Sequence, residues 1–374
     1  MKYYIIAGEA SGDLHAANLV GALNKFDSHP VVRGCGGNLM KAKGVDLVFH
    51  YKDMAYMGFK EVALHFVALE RKLQFCKKDL QNFNPDAVIL VDYPGFNLKI
   101  AKYASRYGFK VYYYISPQVW AWKEKRIKLL EKYVTKLFCI LPFEKEFYKD
   151  YNVDAEYVGH PLIEQISNLE TVDQAKFIKI NHLKPHREII ALLPGSRSQE
   201  VERMMPVMVK TAPLLKDYQF VVAMAPNVSS RPYRQLMTQN GVKFVKNQTY
   251  QLLQIASAAV VTSGTATLEA ALLNQPEVVC YKTSSITYRI FKKLVKVNFI
   301  ALPNLILGRE VVRELIQDDC TSKSIATELK HILHDSLRQR KLLEDYEELG
   351  AMLINGESPS LKVAEAICKN ARKK

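Results

Sequence analysis

The chain has 374 residues, of which 48% are hydrophobic, and its formal net charge is +14 at pH 7. This length favours two or three domains, each able to bury its own core. No apolar run reaches the roughly 18 residues that span a bilayer, and the first apolar stretch, Tyr3–Ala7, is too short for a signal-peptide core, so we expect a cytoplasmic protein. The excess of basic residues favours anionic partners: nucleic acid, anionic lipid or phosphorylated substrates.

The six cysteines are scattered along the chain, with no C-x-x-C pair and no histidine at zinc-ligand spacing. We therefore expect reduced thiols rather than disulfides. The spacing of the cysteines and histidines likewise gives no indication of a metal site.

Short apolar runs rich in β-branched and aromatic residues recur, each followed by a small-residue turn and a segment with helical periodicity. This alternation predicts an α/β fold with parallel sheets. The expected strands are Tyr3–Ala7, Val31–Gly34, Val45–Phe49, Ala87–Val91, Val111–Ile115, Leu137–Leu141, Ala155–Val158, Ile189–Leu193, Phe220–Met224, Val242–Val245, Ala259–Thr262 and Val278–Tyr281.

The strands form two series, separated by the polar, lysine-rich stretch Asn168–Arg187. We therefore expect one domain over residues 1–168 and a second over residues 169–344. The stretch from Ser336 onward has a helical pattern, and its helices from about 345 to 374 are expected to pack back on the first domain. Two consecutive open α/β sheets leave a cleft between the carboxyl ends of their strands, where ligands bind in such sheets.

A small-residue turn, Gly195-Ser196-Arg197, follows the strand Ile189–Leu193 and precedes a helix from about Gln199. Such a turn exposes backbone N–H groups at a helix N-terminus, and Arg197 adds a guanidinium that can bind a phosphate through two hydrogen bonds. An ordinary βα turn with an exposed arginine would have the same sequence.

A second turn of this kind follows the strand Ala259–Thr262 and consists of Ser263, Gly264, Thr265, Ala266 and Thr267. It offers N–H groups and hydroxyls to a diphosphate at the start of a helix. Glu269, one turn into the helix, is a candidate for ribose hydroxyls or, alternatively, a helix-capping residue near the capping-box spacing. Two such turns in one α/β domain indicate a nucleotide diphosphate site.

Two other nucleotide-binding classes are disfavoured. Neither turn fits G-x-x-x-x-G-K-[ST], so P-loop chemistry is not expected. The first βα turn, Gly8–Asp13, lacks the third glycine of G-x-G-x-x-G, and the second strand ends at Gly34–Gly37 without a ribose-binding acid, which argues against a dinucleotide dehydrogenase.

Asp92 stands directly after the buried strand Ala87–Val91, where a general base for a sugar hydroxyl would face the cleft. A turn-stabilising or N-capping aspartate is an equally good interpretation. Three polar residues reach the same cleft from the first strand: Glu9, Ser11 and Asp13. Asp13 has an alternative role as the cap of a helix beginning at Leu14.

Two segments suggest an apolar partner. Met54–Phe59 begins a helix that is apolar on more than one face, and Ile286–Ile300 mixes basic and apolar residues as a surface helix does. Core packing explains either segment alone. Together with the net charge, they favour peripheral contact with a membrane.

Nine segments follow one another in the order found in one enzyme family: AGEASGD (Ala7–Asp13), MGF (Met57–Phe59), VDYPGFN (Val91–Asn97), YYISPQVWAWKEKR (Tyr113–Arg126), LPFEKEFY (Leu141–Tyr148), VGHPL (Val158–Leu162), LLPGSRSQEV (Leu192–Val201), TSGTATLEAAL (Thr262–Leu272) and LPNLILGREVVREL (Leu302–Leu315). Through them the chain resembles the lipid-A-disaccharide synthases from end to end. Gly95 departs from the pattern, since the family often has a second Asp there, and this argues against an essential acid at that position.

The resemblance implies the GT-B fold, with two Rossmann-like doubly wound domains and an interdomain cleft. It also implies transfer of 2,3-diacylglucosamine from UDP-2,3-diacylglucosamine to 2,3-diacylglucosamine 1-phosphate (lipid X) in lipid A biosynthesis, at the inner membrane surface. The second domain would hold UDP, with Glu269 or Asn304 near the ribose or uracil. The first would bind the acceptor through Glu9, Ser11 and Asp13. The acyl chains of the acceptor would lie near residues Met54–Phe66, which include Met57 and Phe59.

An α-linked donor that gives a β-glycoside requires inversion, so a single base suffices, and Asp92 is the candidate. Arg197 and the helix start at Thr265 would stabilise the departing UDP. No Asp-x-Asp motif occurs, so we expect activity without a divalent metal or other cofactor. A UDP-sugar 2-epimerase of the same fold is the main alternative. A basic nucleic-acid-binding protein is disfavoured, because the positive charge accompanies no known nucleic-acid-binding pattern.

Overall fold

The computed structural model describes residues 1–53, 62–120, 124–226, 228–234, 241–285, 287–289 and 297–372. The chain divides into two compact units. The first contains residues 1–164 and 353–374, and the second contains residues 165–352. The predicted residues Met57 and Phe59, and most of the segment 286–300, lie outside the described residues.

The strands are β1 Lys2–Ala7, β2 Val31–Gly36, β3 Asp46–His50, β4 Ala87–Val91, β5 Val111–Tyr114, β6 Lys136–Cys139, β7 Ala155–Tyr157, β8 Ile189–Leu193, β9 Gln219–Met224, β10 Lys243–Lys246, β11 Ala258–Thr262, β12 Glu277–Tyr281 and β13 Arg313–Ile316. Each predicted strand occurs, with ends that differ by at most two residues. Strand β13 was not predicted. Its first two residues are charged, so it lacks the apolar run by which the other strands were predicted.

The α-helices are α1 Ala10–Phe26, α2 Asn38–Ala42, α3 Val62–Phe83, α4 Pro94–Arg106, α5 Ile127–Tyr133, α6 Pro142–Lys149, α7 Pro161–Ser167, α8 Gln174–Ile180, α9 Ser198–Val209, α10 Arg231–Arg234, α11 Thr249–Ile255, α12 Thr265–Leu272, α13 Leu302–Leu307, α14 Ser322–His334, α15 Ser336–Leu353 and α16 Pro359–Arg372. Short 3-10 turns occur at Tyr51–Asp53, Glu124–Arg126, Ala212–Leu214 and Gln317–Asp319.

The first unit has a seven-stranded sheet in the order β3-β2-β1-β4-β5-β6-β7. The second has a six-stranded sheet in the order β10-β9-β8-β11-β12-β13. All neighbouring strands are parallel. Counted within each unit, both sheets follow the 3-2-1-4-5-6 order of a doubly wound Rossmann fold. The predicted α/β class with two Rossmann-like units is confirmed.

Both sheets carry helices on both faces, which is why their central strands consist almost entirely of apolar residues. In β1, Tyr3 and Ile5 enter one core layer, whereas Tyr4 and Ile6 enter the other. The last helix, α16, packs on the first of these layers. All six cysteines are buried and unpaired by disulfides. Among the described residues, no helix combines the length and apolar character that crossing a bilayer requires.

Candidate functional site

The predicted turns lie at the switch point of each sheet, where the chain order reverses and ligands bind in doubly wound folds. In the first unit β1 pairs with β4, and Ala7 lies opposite Val91, so Gly8 and Asp92 leave the sheet side by side. In the second unit β8 pairs with β11, and Leu193 lies opposite Val261. The topology therefore brings the residues of each predicted site to one edge of its sheet.

The turn at Asp92 has an unusual backbone. Asp92 and Tyr93 have φ angles of 45° and 47°, in the left-handed region that non-glycine residues rarely adopt. Each such residue costs about 1–3 kcal/mol and is retained only where its surroundings enforce it. Tyr93 is also the N-cap of α4, whose first residue is Pro94. Two consecutive residues with strained backbone thus lie at the position of the predicted base.

Glu9 and Ser11 flank the same edge from the β1 side. Glu9 is the N-cap of α1 and is half-buried, and Ser11 is exposed. Burial raises the pKa of the Tyr93 phenol, and the charge of Glu9 raises it further. Gly8 is required here, because a Cβ at this position would lie 2.3 Å from the Tyr93 ring.

Asp13 caps a helix, although a different one from the helix considered in the sequence analysis. The helix expected to begin at Leu14 begins at Ala10, so Asp13 lies inside it and that capping assignment is wrong. Its carboxylate instead accepts hydrogen bonds from the backbone N–H groups of Gly37, Leu39 and Met40, at 2.7–3.1 Å, around the start of α2. The side chain is 3% exposed. A contact between Asp13 and an acceptor remains a prediction.

In the second unit, Glu200 organises the turn after β8. Its carboxylate accepts from the backbone N–H groups of Ser196 at 3.0 Å and Arg197 at 3.3 Å, and it pairs with the Arg197 guanidinium at 3.3 Å. Gly195 has φ 122°, and a Cβ there would lie 2.5 Å from Glu200 Cβ, so only glycine fits. The donors predicted to bind phosphate thus surround an anionic group of the protein itself.

The turn after β11 is shaped by Gly264, whose φ of 154° and ψ of −162° suit glycine alone. Gly264 is the N-cap of α12, whose first amide groups have no partner within the helix. Thr267 closes the turn by donating to Gly264 O at 2.8 Å, and Ser263 donates to Ile300 O at 2.8 Å. Thr265 is exposed, and Ala266 is half-buried. The amides of α12 form a place for an anion next to the Gly195 turn.

Glu269 accepts a hydrogen bond from the neighbouring helix α11 and does not cap α12. Its carboxylate accepts from the Tyr250 hydroxyl at 2.8 Å, and that hydroxyl in turn accepts from Gln165 Nε2 at 2.7 Å. Burial raises the pKa of Glu269 above its usual value, and the Tyr250 bond partly opposes this. Glu269 is thus held in one orientation beside the turn.

Asn304 holds a loop together and is completely buried. Its Nδ2 donates to Val312 O and Glu314 Oε1, and its Oδ1 accepts from the N–H groups of Val311 and Val312, all at 2.8–2.9 Å. Every polar atom of the side chain is engaged. Its predicted position near ribose or uracil remains a prediction.

Three residues of these sites were missed in the sequence analysis: Asn97, Glu200 and Tyr250. Glu200 lies at the N3 position of α9, where an acid commonly accepts from the turn before a helix, and this signal was available. The contact of Tyr250 with Glu269 joins residues far apart in sequence, and no local pattern predicts it. Within the described ranges, no three Asp, Glu, His or Cys side chains come together as a metal-binding group.

Comparisons with known proteins agree with this arrangement. A structure of UDP-GlcNAc 2-epimerase from Neisseria meningitidis bound to UDP-GlcNAc superimposes with a TM-score of 0.67 at 13% identity, over 100% of both chains. A glycosyltransferase structure from Rickettsia africae ESF-5 gives a TM-score of 0.57 at 13% identity, over 100% of this chain and 98% of that one. Likeness at this level of identity is evidence for the fold alone, and it supports the GT-B class.

Sequence similarity is more specific. A lipid-A-disaccharide synthase of Syntrophus aciditrophicus (strain SB) is 40% identical over 352 residues, which are 92% of this chain and 91% of the relative. The family model described as lipid-A-disaccharide synthetase matches residues 3–365, which include both switch-point sites. The chain therefore belongs to the lipid-A-disaccharide synthase family.

Proposed function

We propose that the protein transfers 2,3-diacylglucosamine from UDP-2,3-diacylglucosamine to the 6-hydroxyl of 2,3-diacylglucosamine 1-phosphate, releasing UDP, in lipid A biosynthesis. The observation that carries the proposal is the family match over residues 3–365. The site geometry agrees with it, because each unit presents suitable groups at its switch point.

The second unit is proposed to bind the donor. The diphosphate would lie against the Gly195–Arg197 turn and the start of α12, where N–H groups and the Arg197 guanidinium favour an anion. Glu269 would accept from ribose hydroxyls. Positive charge at this place also stabilises the negative charge that develops on the leaving UDP.

The first unit is proposed to bind the acceptor and to supply the base. Asp92 takes the proton of the acceptor 6-hydroxyl as that oxygen bonds to the anomeric carbon of the donor. The bond from this carbon to the diphosphate breaks in the same displacement, and its electron pair leaves with UDP. One displacement inverts an α-linked donor to a β-glycoside. General base assistance of this kind is worth about 10²–10⁴-fold in rate.

We further propose that this reaction needs no divalent metal, because Arg197 and the helix N-terminus supply the charge that a metal supplies elsewhere. Full transferase activity in the presence of a strong chelator is the expected result. Loss of activity with the chelator, restored by added magnesium, would contradict it.

Peripheral contact with the inner membrane surface from the cytoplasm is also proposed, since both substrates are acylated. In support, a groove of about 350 Å³ between α3 and α4 is lined by four cationic side chains, Lys77, Lys99, Lys102 and Arg106, and by one acidic side chain, Glu70, which pairs with Lys99 at 3.3 Å. Anionic vesicles should sediment the protein in a salt-sensitive way, and neutral vesicles should not. Lys102→Glu should weaken this binding more than Lys330→Glu on α14, and equal effects would contradict the proposed surface.

The reaction is tested by measuring UDP release from the donor with and without the acceptor. Release only with the acceptor supports transfer. Release without it, accompanied by epimerised sugar, supports a 2-epimerase. The same assay with added RNA tests the expectation that nucleic acid is not a partner, since RNA should leave the rate unchanged at physiological ionic strength.

Two variants test the site. Asp92→Asn should lower kcat by about 10²–10⁴-fold and leave UDP affinity near normal. Its control is Asp86→Asn, at the other end of the same strand. If Asp92→Asn keeps most of its turnover, another acid such as Glu9 is the base.

Arg197→Ala should weaken UDP binding as well as turnover. Its control is Arg313→Ala, because Arg313 is equally exposed, at 52% against 55%, and also pairs with a glutamate at i,i+3 spacing.

A further inference from the structure

Asn97 lies in the first turn of α4, and its side chain reaches back toward the strand before the helix. The side chain is completely buried. Its Nδ2 donates to the carbonyl oxygens of Asp92 at 2.7 Å, Val91 at 3.2 Å and Ile6 at 3.4 Å. A single amide group therefore joins the turn after β4 to both strands at the switch point of the first sheet.

The side-chain oxygen of Asn97 indicates that the N–H groups of this amide, and not its oxygen, determine the contacts at this position. Asn97 Oδ1 is buried and accepts no hydrogen bond from the described part of the chain. A buried acceptor without a partner is unfavourable. The structure tolerates it at a position where the Nδ2 contacts to three carbonyl groups are made.

Tyr113 holds the same carbonyl group from the neighbouring strand. Its hydroxyl donates to Asp92 O at 2.6 Å, and burial keeps the phenol neutral by raising its pKa. The N–H group of Asp92 donates to Tyr114 O at 3.0 Å. The backbone of Asp92 is thus fixed on both sides, by bonds that do not involve its carboxylate.

These bonds matter because the backbone conformation of Asp92 sets the direction of its side chain. A return of φ from 45° to the ordinary right-handed region would turn the Cα–Cβ bond away from its present direction. We propose that Asn97, assisted by Tyr113, is a positioning residue that holds the left-handed turn and so aims the Asp92 carboxylate, an inference that rests on the proposed role of Asp92 as the base. Catalytic groups tolerate displacements of only about 0.5 Å.

The test compares two variants with the wild-type enzyme in the transferase assay. Asn97→Ala should lower kcat by about 10- to 100-fold, the effect of a misplacement near 1 Å, while both KM values and the affinity for UDP change little. Tyr113→Phe removes one hydroxyl without changing the shape of the ring. It should lower kcat by a smaller factor, and it provides the test if Asn97→Ala does not fold.

The same substitutions are then made in the Asp92→Asn enzyme, at enzyme concentrations high enough to quantify its slow turnover. A residue that acts by aiming the Asp92 carboxylate has little left to do once that carboxylate is gone. We therefore expect Asn97→Ala and Tyr113→Phe to change kcat by less than about threefold in this background, the non-additivity that coupled residues show.

Asn181→Ala is the control, because this asparagine also donates two side-chain hydrogen bonds, to Phe177 O and Gln248 Oε1, in the second unit. It should leave kcat unchanged in either background. Two results would overturn the inference: an Asn97→Ala enzyme with wild-type kcat, or a loss of the same factor with and without Asp92. Asp92→Asn measured alone reports separately on the proposed base, so a failure of that assignment is recognised independently.

Discussion

Glu200 is the residue whose contacts compete most directly with the proposed ligand. Its carboxylate accepts from the Ser196 and Arg197 N–H groups and pairs with the Arg197 side chain, and these are the donors proposed for the diphosphate. Removing a unit charge about 4 Å from an anion is worth about 1 kcal/mol in water. Glu200→Gln should therefore tighten UDP binding several-fold in calorimetry, with a smaller gain at high salt. Weaker binding would mean that the charged cap is needed to shape the turn.

Glu144 gives the first unit a pH dependence. It is 1% exposed, and its carboxylate accepts from Trp120 Nε1 and from the N–H groups of Ile140 and Leu141, yet burial raises its pKa from 4.5 to about 7. The folded protein therefore holds a proton on Glu144 that the unfolded chain has already released between these pH values, so the contribution of Glu144 to stability falls as the pH rises through this window. The loss is on the order of 3 kcal/mol.

Glu144→Gln cannot ionise, so this falling contribution should be absent from the variant. The opposite contribution of the buried His15 and His160, whose pKa values burial lowers to about 4 and about 3, remains in both proteins. Urea unfolding at pH 4.5 and pH 8 measures the difference. Tryptophan fluorescence reports on this unit, because both tryptophans of the chain, Trp120 and Trp122, fall within its residues 1–164, and Trp120 Nε1 donates to Glu144 at 3.0 Å. Equal pH dependence in the wild type and the variant would assign the titration to another group.

At the scale of single elements, α2 depends on a residue from a neighbouring helix. Asp13 in α1 accepts from three N–H groups around the start of α2, a five-residue helix with no side-chain cap of its own. Asp13→Ala should lower the free energy of unfolding of the first unit by about 1–3 kcal/mol. Asp46→Ala, which removes a 65% exposed ion-pair partner nearby, should change it little. An unchanged stability with a raised KM for the acceptor would instead support direct acceptor contact.

The strands and turns also show how much of the fold could be predicted from the sequence. Twelve of the strands were predicted, and those buried along their whole length, such as β4, β8, β9 and β11, have near-continuous apolar runs. The edge strands β3, β7 and β10 are partly exposed. The turns at Gly195 and Gly264 were recognised because the positive φ there leaves glycine as the residue that fits. β13 was not predictable from composition, since Arg313 and Glu314 open it. Glu314 is explained only by the tertiary structure, in which it accepts from Asn304 and from the Ile300 and Ala301 N–H groups.

At the scale of the whole molecule, the chain returns at its end to the unit in which it began. Residues 353–374 belong to the first unit, and α16 buries Val363 and Ile367 against the layer that contains Tyr3 and Ile5. The Tyr3 hydroxyl also lies 3.3 Å from Cys368 Sγ. The sequence predicted helices here and a packing surface on the first domain, but the contacts themselves join residues more than 350 positions apart, beyond the reach of local patterns.

Removal of α16 should therefore destabilise one unit selectively. Each fully buried Val or Ile side chain contributes about 1.5–3 kcal/mol, so the loss of several approaches the 5–15 kcal/mol that holds a typical domain together. A chain ending at Glu357 should show faster amide hydrogen exchange in β1 and α1, whereas β8 and β11 should keep their protection, because their core lies within residues 165–352. A chain ending at Arg372 is the control and should match the wild type. Equal loss of protection in both units would mean that they do not fold independently.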